Sequence, residues 1–191
     1  MISYDPASKL DNSVICVAEL FRDEEKGLML RLVNCKNLIE KIGNEKAIIQ
    51  KPEQIEILKD MIIDYNKGSI DYDNLDMVII DAGAGGGGAD VAAFILNEWK
   101  GKDKKTHIGF IDKDDPYMNL RAEDYPGNSE KLQMFNFKRD KTIAYERTRR
   151  AINEGLVIFP SSVNARGEIE FEEIDVNGDV VIKYEKVDNN D

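Results

Sequence analysis

The sequence predicts an α/β domain built on a mixed sheet. Three short β-like runs separated by tight turns open the chain, and a segment with helical periodicity follows them. A buried apolar run then leads through a glycine-rich stretch into a second helix. A three-strand antiparallel meander and a helix crossover place the fourth strand parallel to the first.

Each element has its own signal. Residues 2–5 form the first strand, broken by Pro6. Ser13-Val-Ile-Cys-Val-Ala-Glu-Leu20 is apolar and β-branched, as a central strand requires. Asp23-Glu-Glu-Lys-Gly27 is a charged turn before a third strand, Leu28-Met-Leu-Arg-Leu-Val33. Pro52 marks a helix start, Ile55, Leu58, Ile62, Ile63 and Tyr65 carry the helical spacing, and Lys67-Gly68 is the stop. The strand Met77-Val-Ile-Ile-Asp81 follows, then Gly83-Ala-Gly-Gly-Gly-Gly88 and a helix from Asp90 to Trp99, with Trp99 read as a core anchor. Lys100-Gly-Lys-Asp-Lys-Lys105 is a solvated loop, and His107-Ile-Gly-Phe-Ile111 is a further strand. Residues 112–129, with Pro116 and Pro126, read as loop, and Asp112, Asp114 and Asp115 as loop charge.

Lys131-Leu-Gln-Met-Phe135 is the next strand and Asp140–Glu154 a helix ended by Gly155. Glu168–Ile174 and Val180–Tyr184 flank Asn177-Gly-Asp179 as a β-hairpin. This order is that of a ribonuclease H-like sheet: a three-strand antiparallel meander plus parallel strands, with flanking helices. Residues 1–160 make up that domain, and residues 161–191 add the hairpin as an extension of it.

A chain of 191 residues with 42% hydrophobic composition can bury one substantial core. No apolar run reaches the roughly 18 residues of a membrane span, so no membrane is expected. The start, Met1-Ile-Ser-Tyr-Asp5, lacks a secretory pattern. Cys16 and Cys35 have no CxxC spacing and are expected as reduced core residues, with a disulfide as the alternative. A cytosolic location fits these features. The net charge of −11 disfavours nucleic-acid binding through overall electrostatics, so any grip on phosphates needs a local basic track. The single His107 excludes a multi-His metal site.

The chemistry rests on two aspartates. Asp5 and Asp81 each close an apolar strand, where a side chain leaves the core and meets solvent. If the strands are neighbours, the two carboxylates form a hard-oxygen site suited to Mg²⁺ or Mn²⁺ and to phosphoryl chemistry. Asp starting a turn is the competing explanation for both. Asp11, just before the second strand, either returns a carboxylate to the same ion or serves its turn. The spacing Gly83, Gly85, Gly88 matches GxGxxG between a strand and a helix. No acidic residue closes a second strand about 20 residues on, and no Gly-Lys-Ser/Thr follows. The run is therefore a backbone contact to nucleic-acid phosphate, a cofactor loop or a packing turn. Arg139, Arg147 and Arg150 share one side of the late helix, as a DNA-backbone track or a solvated face.

Tyr4-Asp5-Pro6-Ala7, followed by Asp11-Asn-Ser-Val-Ile15, resembles the first nuclease motif of bacteriophage large terminase subunits. Val78-Ile-Ile-Asp81-Ala-Gly-Ala-Gly-Gly-Gly-Gly88 is similar to their second motif, and residues 131–160 to the downstream part of that domain. The resemblance covers about residues 1–160. It implies an endonuclease that cuts concatemeric viral DNA during packaging in the host cytoplasm. Asp5 and Asp81 would be its metal-binding acids, Asp11 a supporting acid, and Gly85, Gly86, Gly87 and Gly88 with the arginines its DNA contacts. It implies double-stranded DNA as substrate, with a terminase ATPase domain, a small terminase subunit and a portal as partners. No Walker spacing is present, and no third acidic motif is found before the hairpin. The expectation is a C-terminally truncated nuclease domain of weak activity. A phosphate- or nucleotide-binding ATPase-like module and a non-catalytic packaging-assembly domain are the alternatives.

Overall fold

The computed structural model describes residues 1–6, 13–42, 45–48, 51–69, 71–83, 88–114, 122–159, 168–174 and 180–186. Two compact units are present, Met1–Ile158 and Phe159–Asp191. The first contains β1 (Ile2–Asp5), β2 (Val14–Asp23), β3 (Gly27–Asn37), β4 (Ile39–Ile42) and β5 (Glu45–Ile48). It continues with α1 (Lys51–Asn66), β6 (Val78–Asp81), α2 (Gly88–Leu96), β7 (Trp99–Lys100) and β8 (Thr106–His107). A short 3₁₀ turn, Ala122–Asp124, precedes β9 (Leu132–Phe135), α3 (Phe137–Asn153) and β10 (Val157–Ile158). In the second unit, β11 (Glu168–Ile174) and β12 (Val180–Lys186) pair antiparallel.

The main sheet is six-stranded and mixed, in the order β10-β3-β2-β1-β6-β9. β2 runs antiparallel to both of its neighbours, whereas β1, β6 and β9 are mutually parallel. Strand alternation separates the two faces of the sheet. Ile2, Tyr4, Ile15, Val17, Val78, Ile80, Leu132 and Met134 point to one face and are buried. They join Ile55, Leu58, Met61 and Ile62 of α1 and Val91, Ala92 and Ile95 of α2 in one core cluster. Tyr4 ties the sheet to α1, its hydroxyl donating to Gln54 Oε1. Burial pushes the Tyr4 phenol up to about 12. Among the described residues no helix is long and apolar enough to cross a membrane.

Helix boundaries follow local chemistry. α1 stops where Lys67 and Gly68 take φ of 53° and 73°. At the start of α3 the Asn136 side chain accepts from Arg139 N–H, so the helix begins three residues before the predicted Asp140. It ends at Asn153, with Glu154 as its C-cap and Gly155 following at φ of 65°.

Several features differ from the sequence reading. Trp99 does not end a helix: α2 stops at Leu96, and Trp99 pairs with His107 in the β7–β8 hairpin. It remains a core residue, and its ring stacks on the His107 imidazole at 4.5 Å between centroids. The strand read at His107–Ile111 shrinks to Thr106–His107 plus a bridge from Phe110 to Ser129. The β4–β5 hairpin and the two-residue β10 were not anticipated. Cys35 is exposed rather than core, and Cys16 is half-buried. Asp112, read as loop charge, is also more than that: its Oδ2 accepts from the Met134 N–H of the outer strand β9 at 2.6 Å.

Candidate metal centre

β1 and β6 are hydrogen-bonded parallel neighbours in the register Ile2↔Val78, Ser3↔Ile79, Tyr4↔Ile80. The next residue on each strand is the aspartate. Asp5 and Asp81 therefore occupy equivalent positions at the same end of adjacent strands, whose backbones are separated by about 4.8 Å in any sheet. Alternation puts both on the face opposite the core. There Asp5 is exposed and Asp81 half-buried. Both line a shallow pocket of about 310 Å³, together with Ser3, Cys16, Ile79 and Phe135.

The backbone around Asp81 is tightly specified. Asp81 Oδ1 accepts from the Gly83 N–H at 2.8 Å, an Asx-type turn that fixes the carboxylate relative to the strand end. At the first residue of α2, a Cβ on Gly88 would fall 2.0 Å from the Asp81 carbonyl oxygen. Gly88 is buried, so the helix can start directly against the strand that carries the acid. This supplies a packing reason for the last glycine of the run.

The other expected site residues distribute as follows. Asp11, Gly85, Gly86 and Gly87 lie outside the described residues. Arg139, Arg147 and Arg150 are exposed on α3. Arg139 pairs with Asp140 at 2.7 Å and Arg150 with Glu154 at 2.7 Å. α3 contributes nothing to the core cluster among the described residues. Two of the three arginines therefore meet acids on α3 or at its C-cap, which lowers the net positive field of that face.

Two carboxylates on adjacent strands suit a hard cation that keeps part of its water shell, as Mg²⁺ does. Among the described residues no group of three or more His, Cys, Asp or Glu side chains is close enough to form a fuller cage. Asp5 and Asp81 are the two oxygen donors this strand end could offer such an ion, with water completing its shell. Sequence reasoning missed Cys16 as a neighbour of the pair. It stands opposite Ser3 in the β1–β2 ladder and so shares the face of Asp5. Burial, the Cys35 thiol and the Asp5 charge together raise its thiol to about 11. The alternation of Ile15 and Val17 into the core was the available signal, since it turns Cys16 the other way.

Compared with family models, curated proteins and solved structures, the chain matches none of them.

Proposed function

We propose that the Met1–Ile158 unit is a ribonuclease H-like, divalent-metal-dependent endonuclease that cleaves double-stranded DNA, of the kind found in phage large terminase subunits. The observation that carries this reading is the placement of Asp5 and Asp81 at the same end of adjacent parallel strands, each one residue beyond the Tyr4↔Ile80 pair. The sheet order β3-β2-β1-β6-β9, with only β2 reversed among these five, supports the fold assignment.

Asp5 and Asp81 would hold Mg²⁺ or Mn²⁺. When bound, such an ion stabilises the charge that builds on a phosphodiester under attack. The strand backbones bring the two aspartates to the same end of the sheet, and the Gly83 N–H orients the Asp81 carboxylate. Ile79 and Phe135 line the same pocket as apolar walls beside the acids. On this reading the exposed arginines of α3 meet the DNA backbone by exchanging their surface partners, which are individually weak. The ATPase, small-subunit and portal partners and the host cytoplasm belong to the same reading.

Supercoiled plasmid incubated with the full chain and Mn²⁺ tests it. The expected result is nicked and linear DNA from the wild type and intact plasmid with Asp81→Ala. Equal cleavage by both, or none by either, removes the catalytic assignment. A second reading, a non-catalytic assembly domain, is favoured by the Asp81–Gly83 turn, which gives that carboxylate a structural task. In that case Mn²⁺ leaves thermal stability unchanged.

A further inference from the structure

We propose that Cys16 and Cys35 form a reversible cross-strand disulfide, a redox-modification site on the sheet face that also carries Asp5 and Asp81. The two residues are direct register partners on β2 and β3, with their sulfurs 3.3 Å apart. Directly opposed residues of antiparallel strands have Cα atoms about 4.5–5.5 Å apart, inside the roughly 4.4–6.8 Å range that disulfides occupy. Closure then needs side-chain rotation and little backbone movement.

This opposition is produced by an irregularity in the ladder. From Asp23↔Gly27 to Ala18↔Leu32 the register is continuous, and between Ala18 and Val17 it shifts by one residue. Val33 is the extra residue, so Val17 faces Asn34 and Cys16 faces Cys35. Without the shift Cys16 would face Asn34, and Cys35 would lie one position away with its side chain on the other face. The two cysteines differ in access. Cys35 is exposed and Cys16 is half-buried.

That difference orders the chemistry. The oxidant is a low-molecular-weight disulfide, RSSR. Cys35, as thiolate, attacks one of its sulfurs and forms a mixed disulfide, expelling RS⁻. Cys16, after losing its proton, attacks the Cys35 sulfur, forms the Cys16–Cys35 bond and expels the second RS⁻. Two protein thiols are oxidised, one small disulfide is reduced, and the two thiol protons end on two molecules of RSH. A small dithiol reverses the sequence.

The inference stands on thiol geometry and is independent of the nuclease reading, so a failed cleavage assay leaves it untouched. The test treats the folded full chain with glutathione disulfide, alkylates the remaining thiols and maps the products by mass spectrometry. The expected product is an intramolecular Cys16–Cys35 link that dithiothreitol removes. It should form at least about tenfold faster in the native chain than in the urea-unfolded one, because the thiols are already in contact. Cys16→Ser should stop at a glutathione adduct on Cys35. Wild type that stops at the same adduct, keeps both thiols, or closes no faster when folded overturns the proposal. Should Cys16→Ser fail to fold, the wild-type comparison of native and unfolded rates decides alone.

Discussion

Gly88 lies so close to Asp81 that a Cβ on the glycine would overlap the aspartate's carbonyl oxygen, at 2.0 Å. The contact is with backbone, which cannot swing away as a flexible side chain can. Gly88→Ala is therefore expected to displace the end of β6 and to cost about 1–3 kcal/mol, as overpacking does. Gly27→Ala is the control: a Cβ there meets nothing within 4 Å, and only its φ of +81° is unfavourable. Both variants should lose stability in chemical denaturation. Only Gly88→Ala should also weaken any response to Mn²⁺.

The paired acids predict a metal-dependent melting temperature. Anything that binds the folded chain and not the unfolded one stabilises it by mass action, by about 2.7 kcal/mol at a hundredfold excess over Kd. Differential scanning fluorimetry with millimolar Mn²⁺ should show a rise for the wild type, absent in Asp5→Asn and in Asp81→Asn. An equal rise in both variants would place the ion elsewhere.

Tyr4 predicts a cost confined to one hydroxyl. Tyr4→Phe keeps the buried ring and removes the donor to Gln54 Oε1, linking the second residue before Pro6 to α1. The expected loss is about 1–2 kcal/mol in urea unfolding, with an unchanged m-value. A neutral result would mean that the Tyr4 hydroxyl, with its bonds to Gln54 and Ser13, adds nothing net to stability.

Asp103 predicts a pH dependence. Its carboxylate is held below the ordinary range first by the His107 hydrogen bond and then by the Lys105 backbone N–H. Its Oδ1 lies 3.0 Å from His107 Nε2. A depressed native value means that the stabilisation is complete above the ordinary carboxylate value of about 3.9. It is lost as the pH falls through the lower native value. The gap in melting temperature between wild type and Asp103→Asn should be open at neutral pH and close under acid. A gap that widened under acid would contradict the assignment.

Much of the sheet was legible because each strand carries its own alternation and its own stop. Residues 2–5 and 77–81 both end in aspartate, and the meander with its helix crossover brings those ends together. The less legible parts lack such signals. The β4–β5 hairpin is built from Ile39-Glu-Lys-Ile42 and Glu45-Lys-Ala-Ile48, four-residue strands whose charges obscure any period. Trp99 sits in a two-residue strand, too short for periodicity, and is identified only by its partner His107. The apposition of Cys16 and Cys35 depends on a one-residue register shift, which propensity does not encode. Of the candidate site, the position of the two aspartates at strand ends was readable. The close packing of Gly88 on Asp81 emerges only from the strand-to-helix geometry.

The Asp112 carboxylate on the Met134 N–H has a consequence for self-association. Among the described residues β9 is the last strand on its flank, and an outermost strand with vacant amides is a template on which another chain can polymerise. Here a negative charge already occupies one of those amides and repels an incoming carbonyl. Asp112→Ala should therefore raise the tendency to form β-rich aggregates, a liability separate from anything the acidic pair does.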